Sequence, residues 1–120
     1  MMRSRSNIPS CVTKDGSRIW ELFHPGSSTV KDFSVAEALV GAGQRTEAHV
    51  HHKSQEVYYI VEGSGTIRLG AEHLSVSPGD AILIPPGTPH NIKNTGAGGL
   101  RILCICCPPY SHDDTTLEAR

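Results

Sequence analysis

An all-β sandwich or barrel is the fold class this sequence predicts. Three observations carry that expectation. Short apolar runs recur along most of the chain, the segments between them are rich in Gly, Pro, Asn and Ser, and no stretch sustains the 3.6-residue period of an amphipathic helix. At 120 residues the chain is expected to form one domain with a modest core.

Taken in order, residues 1–10 are polar and contain Pro9, which predicts a flexible start. Lys14-Asp15-Gly16-Ser17 reads as a turn, and Arg18 to Phe23 as one short strand. His24 to Ser28 is a loop. Lys31 to Val40 fits either helix or strand by composition, and Gly41-Ala42-Gly43 closing it as a turn favours strand. Strands are then expected at 46–51, 56–61, 65–69, 73–76, 81–84, 90–93 and 100–106. The turns between them include Gly63-Ser64-Gly65, Ser77-Pro78-Gly79-Asp80 and Pro85-Pro86-Gly87. Pro108-Pro109 ends the barrel, and Tyr110 onward reads as a polar tail that either disorders or packs on a neighbour. The expected organisation is an N-terminal arm with a short strand at 1–30, a barrel at 31–107 and a C-terminal tail at 108–120.

Charge and cysteine content bound the function. With 11 basic and 12 acidic residues the chain lacks the basic excess of a nucleic-acid or membrane-surface protein. No apolar run follows the first Met and none reaches membrane-spanning length, so neither a signal peptide nor a membrane segment is expected. Cys11, Cys104, Cys106 and Cys107 form no disulfide framework and read as reduced thiols of a cytoplasmic protein. A thiolate zinc site is disfavoured, because Cys-x-Cys-Cys lacks the usual two-residue gap and a second pair. If Arg101 points outward, Leu100, Ile102, Cys104 and Cys106 point inward, and the small thiols leave room for a ligand.

The stretch from Gly43 to Gly63 carries the chemistry. Residues two apart in a strand share a face, so His49 and His51 aim at one spot. Lys53-Ser54-Gln55 is a short turn. If the return strand runs antiparallel to the first, Glu56 aims at the same spot with Tyr58 and Ile60 behind it. Two imidazoles and a carboxylate suit a borderline divalent metal. Tyr58 is either a pocket proton donor or a core tyrosine. Glu47 has the parity of His49 and is either a general base or a solvent-facing rim residue. His52 belongs at the rim. His24, His73 and His112 are expected at the surface, Arg101 on an exposed strand face, and Trp20, Phe23 and Phe33 over the barrel or in a dimer interface.

A second stretch, Gly79 to Asn94, places His90 after the Pro85-Pro86-Gly87 turn. The two stretches have fixed spacings. The first is Gly43, five residues, His49-x-His51, four residues, Glu56, six residues, Gly63. The second is Gly79, five residues, Pro85-x-Gly87, two residues, His90, three residues, Asn94. This pattern resembles the two signature motifs of the cupin superfamily, and the segment from Leu103 to Thr115 resembles the ending of small single-domain bacterial cupins. The resemblance implies a jelly-roll (double-stranded β-helix) barrel, often a homodimer, holding one divalent ion by His49, His51, Glu56 and His90. Iron, manganese, zinc and nickel all suit that set. Open coordination positions on such an ion polarise a carbonyl, lower the pKa of a bound water or hold an enediolate. The implied function is a metal-dependent isomerase, lyase or dioxygenase acting on an oxygen-rich small molecule such as a sugar acid, keto acid or phenolic. The alternative is a non-catalytic small-molecule or sugar-binding module. In a dimer, Ile19 to Phe23 would pair with a partner's sheet and the tail would clasp it.

Overall fold

Two-residue periodicity builds the whole molecule, because each strand turns one set of side chains inward and the other to solvent. The computed structural model describes residues 1–118. Its strands are β1 (Cys11–Val12), β2 (Arg18–Phe23), β3 (Ser34–Val40), β4 (His49–His51), β5 (Gln55–Glu62), β6 (Gly65–Leu69), β7 (Glu72–Val76), β8 (Ala81–Ile84), β9 (His90–Asn94), β10 (Leu100–Cys107) and β11 (Thr115–Leu117). They form two antiparallel sheets, ordered β1-β2-β3-β10-β5-β8 and β11-β4-β9-β6-β7. This is the two-sheet jelly-roll barrel expected from the sequence.

The core lies between the sheets. Along β5 the inward set is Glu56, Tyr58 and Ile60, and along β9 it is His90, Ile92 and Asn94. Ile60, Ile67, Ile84, Ile92, Leu100 and Ile102 are fully buried and pack as one cluster. Each contributes roughly 1.5–3 kcal/mol relative to exposure. The small residues Ala36 and Ala38 of β3 face the same interior and keep one part of it open.

Turn chemistry ties the two motifs together. Gly87 has φ +75°, a conformation that costs other residues a Cβ clash, and its amide donates to the His51 carbonyl at 2.7 Å. Gly63 has φ +88°, and a Cβ there would lie 2.6 Å from the Gly99 carbonyl oxygen, so no larger residue fits.

Several expectations change. The N-terminal stretch is not a loose start. It makes a 3-10 turn at Arg5–Asn7, Arg3 Nη1 donates to the Leu22 carbonyl at 3.0 Å, and Arg5 pairs with Glu37 at 3.2 Å while stacking on Trp20 at 4.9 Å. Charge-assisted contacts hold a polar segment that has no apolar pattern of its own. Over its described residues, 108–118, the tail packs on its own chain. Its β11 pairs with β4 of the same chain, and Lys14 Nζ donates to the carbonyls of His112 and Thr115 at 3.0 and 2.8 Å. The strand expected at 46–51 shortens to His49–His51, with Thr46 to Ala48 irregular. Arg101 is half-buried and pairs with Glu37 and Glu62. No helix among the described residues is long and apolar enough to cross a membrane.

Candidate metal centre

The four motif residues meet inside the barrel, by a different route from the one the sequence suggested. The expected antiparallel return of Glu56 beside His49 and His51 does not occur, because β4 and β5 belong to opposite sheets. His49 instead pairs across strands with His90 of β9. Three imidazoles thus project from the five-stranded sheet, and Glu56 faces them from the six-stranded one. The ring centroids of His49 and His90 lie 4.2 Å apart, those of His49 and His51 5.0 Å, and those of His51 and His90 5.4 Å. One ligand atom from each of His49, His51, Glu56 and His90 falls within 4.8 Å of all the others, and all four residues are buried.

Proton accounting fixes which nitrogens face the centre. His49 Nδ1 donates to the Glu47 carbonyl at 2.8 Å, and His90 Nδ1 donates to the Thr88 carbonyl at 2.9 Å. The Thr115 hydroxyl spends its proton on the Ser111 carbonyl at 2.9 Å, so at 3.0 Å it accepts from His51 Nδ1. Each imidazole therefore carries its proton on the outer nitrogen and turns a lone pair inward from Nε2. Glu56 is prepared in the same way. Its Oε2 accepts from the Cys106 thiol at 3.1 Å, while Oε1 lies 3.2 Å from His51 Nε2 and 3.6 Å from His90 Nε2. Glu56 Oε1 and His90 Nε2 are buried and lack a hydrogen-bond partner. Buried polar atoms rarely go unpartnered, and two facing lone pairs repel. A divalent cation satisfies all four donor atoms at once, so the residues present fit such an ion.

Burial pushes the Glu56 carboxyl up, and in the metal-free cluster His51 and His90 outweigh burial and hold it at about 2 only where their inner nitrogens carry a proton to donate, the role a bound cation would take over. Burial, then the neighbouring His90, lowers the pKa of His49 and favours its neutral, ligating form. Around this centre burial raises the pKa of the Tyr58 phenol and of both the Cys104 and Cys106 thiols, so all three keep their protons.

The centre opens on a cavity lined in part by Ile19, Ala36, Tyr58, Ile102, Cys104 and Cys106. The inward parity expected for Cys104 and Cys106 holds, and Tyr58 is buried with its ring 6.0 Å from that of His90. Of the two roles expected for Glu47, its exposed side chain fits the solvent-facing rim residue and is not among the lining groups, because the chain from Thr46 to Ala48 is irregular and strand parity does not carry across it. Glu47 serves the site through its carbonyl, on His49 Nδ1. His52 is an exposed rim residue that bonds Thr116 Oγ1 at 2.8 Å, and His73 and His112 are exposed. His24 is half-buried rather than a surface residue, since its Nε2 bonds the Tyr110 carbonyl at 2.8 Å.

Two groups at the site had no place in the sequence reading. Thr115, from the tail, orients His51. Asp15, from the turn between β1 and β2, points Oδ2 at His49 Nε2 from 3.7 Å. Its spacing to Thr13 and Ser17 is the signal of an Asx-type turn, and nothing in that signal says which face of the barrel the turn covers.

A family model described as a cupin domain matches residues 36–106. An uncharacterized protein of Methanocaldococcus jannaschii is 50% identical over 110 residues, which make up 92% of this chain and 88% of that one. Among solved structures, a predicted oxalate decarboxylase from Thermotoga maritima superposes with a TM-score of 0.79 at 23% identity, covering 90% of this chain and 99% of that one. A Streptomyces nucleoside dehydratase superposes with a TM-score of 0.81 at 16% identity, covering 98% and 90%. At these identities the two solved structures carry the fold alone.

Proposed function

This chain belongs to the cupin family, and from that premise we propose that it is a metal-dependent enzyme acting on an oxygen-rich small molecule. One observation carries the reading: the unpartnered buried pair Glu56 Oε1 and His90 Nε2, set within a four-residue donor cluster that opens on a cavity. His49, His51, Glu56 and His90 would hold one divalent ion. Three imidazole nitrogens and a carboxylate oxygen suit iron, manganese, zinc or nickel. Such an ion supplies Lewis-acid polarisation of a bound oxygen. Tyr58, kept protonated by burial, offers a hydrogen-bond donor beside the site. Isomerisation, lyase chemistry and dioxygenation all fit these parts, and fold alone does not choose among them.

A second reading is a binding module without turnover. It is favoured by the protonated state of Tyr58, Cys104 and Cys106, which takes three groups of the cavity wall out of proton abstraction. Elemental analysis of protein purified without chelators, beside a His49→Ala/His51→Ala variant, tests the metal premise. About one equivalent of metal in the wild type and none in the variant is expected. No metal in either, even after anaerobic reconstitution, overturns the metal-dependent enzyme and leaves a barrel that binds ligands without an ion. With metal in place, a candidate ligand recovered unchanged after long incubation rejects the enzyme, and its consumption rejects the passive binder.

A further inference from the structure

The cavity has a lopsided charge. Besides Glu56, two carboxylate residues line it, Asp15 and Glu21. Among the described residues, no lysine or arginine does. Glu21 stands on β2 opposite Ala36, which stands opposite Cys104, and Cys104 opposite Tyr58. That cross-strand row faces the interior. A divalent ion with Glu56 carries one net positive charge, and Asp15 and Glu21 together carry two negative ones. The formal sum is one negative charge, with no protein cation to offset a further anion.

Asp15 is built in, not merely nearby. Its side chain is 12% exposed. Oδ1 accepts from the Thr13 hydroxyl at 2.7 Å, the Ser17 amide at 2.9 Å and the Ser17 hydroxyl at 2.7 Å. Ser17 is itself buried. One oxygen is thus committed to the turn, and the rigid turn aims the other at the centre. Asp15 lies outside the set of four whose ligand atoms crowd together, so Oδ2 is left to interact with whatever occupies the cavity.

Resting on the metal-binding reading above, we propose that this pocket selects uncharged, hydroxyl-bearing molecules such as 2-hydroxy ketones or phenols, with Asp15 accepting the ligand's hydroxyl hydrogen and, with Glu21, turning carboxylic acids away. A hydroxyl donates to Asp15 Oδ2 and brings no charge. A carboxylate brings a like charge beside two others in a partly buried site, and like charges brought together there repel. Sugar acids, keto acids and dicarboxylates, chemically reasonable from the metal ligands alone, are therefore disfavoured by the walls.

The test is a visible-absorption titration of the full chain loaded with Co(II), read at the ligand-field bands of the ion. The probes are hydroxyacetone and pyruvate, which differ only in a hydroxymethyl group against a carboxylate. In Asp15→Asn the amide oxygen keeps the bonds that Oδ1 accepts, and an unchanged melting temperature verifies this. That variant is expected to bind pyruvate about tenfold more tightly and hydroxyacetone several-fold more weakly. Glu21→Gln is expected to tighten pyruvate with little effect on hydroxyacetone. If the two probes shift together in Asp15→Asn, or neither shifts, the inference is wrong while the metal site stands. If the wild type takes up no Co(II), the metal reading itself fails and the inference falls with it.

Discussion

The barrel interior has two levels that are equally buried and opposite in kind. His90 and Ile92 are neighbours on the inner face of β9, at 0% and 1% exposure. On β5, Glu56 at 5% gives way through Tyr58 to Ile60 at 0%. On β10, Cys106 gives way through Cys104 to Ile102. The aliphatic level is complete in itself, since its buried side chains pack as one cluster. The polar level is incomplete, with two buried atoms that lack a hydrogen-bond partner among the described residues. Burial therefore stabilises the fold at one level and costs stability at the other, where the clustered donor atoms could be satisfied by a cation. One strand alternation produces both, and only the identity of the inward residue separates scaffold from site.

The largest effect that sharpens this contrast is on stability. Ile60→Ala removes a fully buried side chain packed opposite Ile102 and is expected to cost about 3 kcal/mol in urea unfolding. The folded variant should still take up metal at the wild-type stoichiometry. Loss of metal at unchanged stability would break the division between the two levels.

Next in size is the response of metal-free protein to acid. The Glu56 carboxyl is held at about 2 in the fold against an ordinary 4.5, so the unfolded chain takes up that proton first. The stability that Glu56 contributes is present above about pH 4.5 and is lost as pH falls toward about 2. His49 acts in the same direction at higher pH, because its pKa is lowered from 6.5 and the fold resists its protonation. The urea midpoint should fall steadily from pH 7 to pH 3. Glu56→Gln should flatten the lower part of that slope, and an equal slope in both proteins would remove Glu56 from the account.

The smallest effect concerns the support of one ligand. Thr115→Val keeps the side-chain volume but removes the acceptor for His51 Nδ1–H. Metal affinity should weaken roughly tenfold, and stability should fall by about 1–2 kcal/mol, because His51 Nδ1–H and the Ser111 carbonyl each lose a partner. Competition against a chromophoric chelator measures it, and an unchanged affinity would show that β11 positions His51 through its backbone alone.

What the sequence shows and hides follows the same division. The cluster of His49, His51, Glu56 and His90 was legible through its resemblance to the two cupin motifs, whereas strand parity by itself joined only His49 with His51. The aliphatic strands were legible through alternation, with β6 and β8 predicted to the residue. The sheet assignment of β4 and β5 was not, because a polar turn between two strands reads alike whether they form a hairpin or cross between sheets. The three-residue β11 has two threonines and one leucine and is too short to show a period. Which of its two roles Glu47 takes was not legible, because parity does not carry through residues that are not strand. Asp15 was hidden because a turn motif specifies local hydrogen bonds, and the position of that turn over the barrel is a tertiary fact.

The bond between Thr115 and His51 gives the chain's end a thermodynamic stake in its centre. Whatever ion His51 helps to hold, and the docking of β11 against β4, are coupled equilibria. Each strengthens the other by the same factor. The amides of Thr116 and Glu118, distant in sequence from every motif residue, would thus report occupancy. Their exchange with solvent is expected to slow when an ion fills the centre, and loss of β11 to lower affinity without changing any of the four clustered residues.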